Sequence, residues 1–126
     1  MVARKFSFIA FLLVVSCATA NEQSLVKLNN QLSACISVSD MQILTDSRIP
    51  TLSFNVKIKK SIAKCGCKSA LGAYSVFSQM TEYQSYIIGG KISFAKSEHK
   101  YLPLSAEQSL INKKKLEVIF SCSRPD

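Results

Sequence analysis

The sequence predicts an all-β protein: a small antiparallel β-sandwich, immunoglobulin-like in outline and braced by two disulfides. Three observations carry that expectation. Apolar and polar residues alternate over TLSFNVKIKK and LEVIFSC, the period-two pattern of half-buried strands. Helical periodicity is scarce, so two packed sheets are the economical way to close a core, with a small closed barrel as the runner-up. Four cysteines follow an export-type leader, the setting in which thiols pair.

The leader comes first in the chain. Arg4 and Lys5 precede an apolar run from Phe6 to Val15, and small residues end at Ala18-Thr19-Ala20. This is the layout of a secretory signal peptide, expected over residues 1–20, and the run is well short of the roughly 20 residues that cross a bilayer. Cutting after Ala20 gives a periplasmic or secreted domain over residues 21–126. The alternative is Val14-Val15-Ser16-Cys17, which resembles a lipobox and would anchor the protein through a lipidated Cys17. Removing 20 of 126 residues leaves 106, one compact domain and too few for two.

The elements of that domain follow in order. Between Leu25 and Ile43 the signals conflict: Leu25, Leu28, Leu32 and Cys35 have helical spacing, whereas Ala34, Ile36 and Val38 alternate, and a strand from Leu32 is expected. The Thr51 stretch puts Leu52, Phe54, Val56 and Ile58 on one face and Ser53, Asn55, Lys57 and Lys59 on the other. Residues 69–79 read as a strand buried on both faces, with a short helix as the alternative. Tyr83–Ile88 and Lys91–Ala95 flank Gly89-Gly90, which suits a two-residue hairpin turn because both positions accept positive φ, with a bulge in one long strand as the alternative. Pro103 confines Tyr101–Leu104 to an edge. Ser105-Ala106-Glu107-Gln108 has capping-box spacing and starts a helical turn before Lys113-Lys114-Lys115. The last strand places Leu116, Val118, Phe120 and Cys122 toward the core.

The cysteines are Cys35, Cys65, Cys67 and Cys122, and the pair in KCGCKS is the informative one. If the segment is extended, Cys65 and Cys67 face the same way with Cα atoms about 6.6 Å apart, which makes a direct bridge strained. They should reach different partners. Of the three pairings open to four cysteines, Cys35 with Cys65 and Cys67 with Cys122 is favoured, because the chain turning back after the Thr51 strand returns near the start of the preceding one. Metal binding, with Cys35, Cys122, His99 or Met80 completing a site, and thiol redox chemistry at Cys65 and Cys67 are the alternatives. Neither has the usual spacing, and no cofactor is expected.

Of the 16 basic residues, two lie in the leader, so 14 stand against 8 acidic ones and the mature chain carries +6. Lys57 and Lys59, followed by Lys60, Lys64 and Lys68, and Lys113, Lys114 and Lys115 are candidate contacts for an anionic partner if they converge. Solvated lysines are the plainer reading. No aromatic residues interleave them for base stacking, so nucleic acid is not expected. The partners in view are an envelope protein or an anionic surface polymer, with a membrane only if Cys17 is lipidated.

Catalysis is not expected. The chain has one histidine, His99, in what reads as the polar turn Ser97-Glu98-His99-Lys100, and its carboxylates are scattered. Cys65-Gly66-Cys67-Lys68-Ser69-Ala70-Leu71, Tyr74-Ser75-Val76, Tyr101-Leu102-Pro103-Leu104 and the terminal Cys122-Ser123-Arg124-Pro125-Asp126 together resemble a family of short exported bacterial proteins, a domain of unknown function. The likeness runs from about Leu25 to the end. It implies a bacterial envelope location and no activity, so the expected function is a disulfide-braced binding or structural module.

Overall fold

The computed structural model describes residues 26–46 and 48–124. The expected leader, its Ala20 cleavage site and Cys17 lie outside the described residues. Seven strands run in the order β1 (Val26–Asn30), β2 (Ile36–Leu44), β3 (Thr51–Ile58), β4 (Leu71–Gln79), β5 (Gln84–Ser93), β6 (Glu98–Pro103) and β7 (Leu116–Cys122), with short 3-10 turns at Ile62–Cys65 and Gln108–Leu110. Among the described residues no helix is long and apolar enough to cross a membrane.

The strands form two packed sheets, β1-β7-β4-β5 and β2-β3-β6. The sandwich is as expected. Its connectivity is another matter, since seven-strand immunoglobulin sheets run ABED and CFG, whereas here the first and last strands pair in parallel and β4 lies beside β7. All other pairings are antiparallel. Both sheets share two ends. One end carries all four described cysteines; the other carries the start of β7 and the turns after β2, β4 and β6.

The core is filled where the alternating faces meet. Phe120 of β7 is fully buried between Phe54 of β3 and Phe94, with ring centroids 5.5 Å and 5.4 Å away. Leu52, Val56, Val76, Leu102, Leu116 and Val118 surround this trio. Period-two patterning was enough to place β3 and β7, because each has one face against the core.

Four local readings change. The ambiguous N-terminal stretch is two strands separated by a turn over residues 31–35, in which Cys35 and Ile36 donate to the Leu32 carbonyl at 2.8 Å and 2.9 Å. The helical spacing reported that single turn. Asn30 closes it, accepting from Leu32 N at 2.9 Å and donating to the Ile36 carbonyl at 3.0 Å. Gly89-Gly90 is no hairpin: β5 runs straight through, and its irregularity lies at Ile87, skipped between the Val76–Ile88 and Phe77–Tyr86 pairs. The glycines serve close approach instead, since a Cβ on Gly89 would sit 2.7 Å from the Tyr86 hydroxyl and 2.8 Å from the Tyr74 carbonyl oxygen. In β4 one face is buried and the other half-buried. Finally, Ser105 is no helix cap; its Oγ donates to the Glu107 carbonyl at 2.6 Å, and the turn begins after Glu107.

Candidate functional site

KCGCKS sits at the end of the sandwich where both sheets are stapled. Ser61 begins a 3-10 turn by accepting from Ala63 N at 3.3 Å, and Gly66 ends it at φ 94°, the left-handed conformation that glycine takes without strain. The segment is therefore not extended, as the sequence reading assumed. The turn sends the two cysteines apart: Cys65 bridges Cys35 at the start of β2, and Cys67 bridges Cys122 at the end of β7. Cys35 is fully buried and Cys67 nearly so. One bridge ties the β3–β4 connection to one sheet, the second ties it to the other.

Beside the bridges lies an open cavity of about 540 Å³, lined by Ile58, Ile62, Cys67, Lys68, Ser69 and Phe94 among others. Its rim is held by the turn after β5, where Ser97 Oγ accepts from Ile58 N at 2.9 Å. Exposed Lys59, Lys60, Lys64 and Lys68 come from the β3–β4 connection, and exposed Lys96 comes from the β5–β6 turn. The acidic residue that the described strands place at this end is Glu98. It is already engaged by Lys100 at 2.6 Å and Lys96 at 3.8 Å. The hydrogen bond from Lys100 holds the Glu98 carboxyl below its ordinary value.

The lysines singled out in the sequence are thus divided. Lys57 and Lys59 lie at the end of β3, where Lys59 N donates to the Cys35 carbonyl at 2.7 Å. Lys113, Lys114 and Lys115 lie at the other end, where the Lys115 carbonyl accepts from Gln79 N at 2.8 Å. An eight-residue strand such as β3 is about 25 Å long, beyond two Debye lengths at physiological salt. The two groups form no common patch. Lys60, Lys64, Lys68 and Lys96 join the first group instead.

A second arrangement, not expected from the sequence, involves His99. His99 is not in a turn but in β6, on the outer face of the three-stranded sheet, with both ring nitrogens engaged. Nε2 lies 2.6 Å from Ser53 Oγ, Nδ1 lies 2.6 Å from Asn55 Oδ1, and Asn55 Nδ2 donates to Asp40 Oδ2 at 2.8 Å. Tyr101 meets the imidazole edge-on at 4.8 Å between centroids. The signal available in sequence was that Ser53, Asn55, His99 and Tyr101 all occupy polar positions of alternating strands. What sequence lacked was the β3–β6 register that pairs Asn55 with His99 and Ser53 with Tyr101.

A family model described as an uncharacterized protein conserved in bacteria (DUF2195) matches residues 11–125. The chain belongs to that family. No curated protein and no solved structure matches it. The family match extends through both disulfides and every strand of the sandwich, so the stapled fold and the family coincide along the chain. The two disulfides point to an oxidising, extracytoplasmic setting.

Proposed function

We propose that this DUF2195 protein is a binding module of the bacterial envelope that holds an anionic surface polymer at its stapled end. The observation behind this reading is that Lys59, Lys60, Lys64 and Lys68 of the β3–β4 connection and Lys96 of the β5–β6 turn are all exposed at the stapled end, Lys68 lining the cavity there, with Glu98 engaged by Lys96 and Lys100 as the counter-charge. Like charges brought together on a small end repel one another and raise the local potential, a cost that an incoming polyanion relieves. Two disulfides beneath the lysines hold their backbone in place before binding, so little ordering remains to oppose association. The protein is periplasmic or secreted on this reading, with anchoring through Cys17 as the alternative route to the same surface.

A thiol or metal role for Cys65 and Cys67 is less well supported. Exchange needs an attacking thiolate to reach a sulfur, and each bridge has one cysteine, Cys35 or Cys67, buried in the core.

The test is titration of the oxidised protein with polyphosphate, a defined linear polyanion, from low to physiological salt. Wild type should bind with affinity that falls as salt rises. Changing Lys59, Lys60, Lys64 and Lys68 together to serine should abolish binding, whereas changing Lys114 and Lys115 should leave it intact. Equal losses in the two variants would remove the stapled end from the proposal.

A further inference from the structure

The geometry points to a second, separate activity: Ser53 is an activated nucleophile in an acyl-transfer site for small carboxylic esters, on the outer face of the three-stranded sheet. The chain of hydrogen bonds starts at Asp40. An ionised carboxylate has acceptors only, so Asn55 must turn its amide nitrogen toward Asp40, as it does at 2.8 Å. Its carbonyl oxygen then faces His99 and can only accept. The neutral imidazole therefore carries its proton on Nδ1, 2.6 Å from that oxygen. Nε2 is left with a lone pair, and the Ser53 hydroxyl 2.6 Å away must donate to it. Each link fixes the next, and the outcome is a hydroxyl aimed at a basic nitrogen that a third group orients.

Two further features agree. Asp40 has φ 54°, a left-handed backbone at the point where the β2–β3 register shifts between Ser39 and Gln42. Strain of this kind persists where surrounding structure imposes it, and it clusters at functional sites. Ser53 itself is only 6% exposed, yet its register partners on either side, Gln42 and Tyr101, are exposed and much larger. Those two side chains and His99 flank the serine on the outer face of the sheet.

In the reaction, Ser53 Oγ attacks the ester carbonyl carbon while its proton passes to His99 Nε2. The imidazolium, still bonded through Nδ1–H to Asn55, returns that proton to the departing alkoxide as the C–O bond breaks. An acyl-serine and a free alcohol result. Water then gives a proton to the same nitrogen as it attacks the acyl carbonyl, and the Ser53 oxygen takes that proton back as the carboxylic acid leaves. Ser53 itself is paired on both sides, with Gln42 of β2 and Tyr101 of β6, so the oxyanion is assigned to a side-chain donor. The Gln42 amide, directly across from Ser53, is the donor assigned to it.

The test uses the oxidised full chain and a fluorophosphonate probe, which phosphonylates activated serines with loss of fluoride. Peptide mass spectrometry of wild type should find one adduct, on Ser53, and p-nitrophenyl acetate should be hydrolysed. Ser53→Ala should lose both. His99→Gln should slow labelling by about 100-fold or more, the contribution of a general base. No adduct on Ser53 of wild type under excess probe overturns the proposal, whatever the variants do. So does equal labelling in wild type and His99→Gln.

Discussion

Replacing Cys67 and Cys122 by alanine removes the bridge that closes the longer of the two loops, and its cost follows from chain entropy. The bridged residues are 55 apart in sequence, and those of the Cys35–Cys65 bridge 30 apart. Loop closure in the unfolded chain then gives about 4.2 kcal/mol for the first and about 3.6 kcal/mol for the second at 25 °C. The loops 35–65 and 67–122 do not overlap, so neither restricts the other in the unfolded state and the two costs should add to about 8 kcal/mol. A domain of this size has a total stability of about 5–15 kcal/mol. Either double variant should therefore remain folded but melt lower by about 15–30 °C, at about 4–8 °C per kcal/mol, whereas full reduction should unfold the chain or bring it close. Urea unfolding followed by far-UV circular dichroism measures each loss. A cost below about 1 kcal/mol for either pair, or an unchanged melt in strong reductant, would refute the staple reading of KCGCKS.

Two other outcomes follow from the core and from the stapled end. Phe120→Ala should cost about 3–5 kcal/mol in urea unfolding, since it empties the space between Phe54 and Phe94 in a fully buried position; a loss under about 1 kcal/mol would mean that the sheets close over it. Lys100→Met should let the Glu98 carboxyl titrate nearer its ordinary value, as read by carboxyl-carbon NMR. The sign follows from the lowered value in the folded state: Glu98 adds stability above its unfolded value, and that share is lost as pH falls through the folded one. The variant should therefore lose less stability than wild type on the acid side, and an unmoved Glu98 midpoint would show that Lys100 is not its partner.

The fold class, the elements with one buried face and the presence of two disulfides were legible in the sequence alone. Alternation in Thr51–Ile58 and Leu116–Cys122 is a local pattern, and a strand with one face in the core must show it. That Cys65 and Cys67 take different partners was expected from their closeness in KCGCKS, but that left two pairings open, and the 3-10 turn that sends Cys65 to Cys35 and Cys67 to Cys122 is a feature of the structure. Register and sheet order were decided only by the tertiary structure, because they depend on which strands meet, a relation that no stretch of sequence contains. Gly89-Gly90 has the composition of a turn, yet what it answers to is the approach of Tyr86 and Tyr74. Glu117 alternates outward in β7 but is buried, because Gln84, two strands away, reaches its carboxylate at 2.6 Å. Lys57 and Lys113 are equally basic in sequence, and it is the length of the sheet that sets them at opposite ends. Ser53, Asn55 and His99 became a hydrogen-bonded chain through the β3–β6 register, which brings together residues 46 and 44 positions apart.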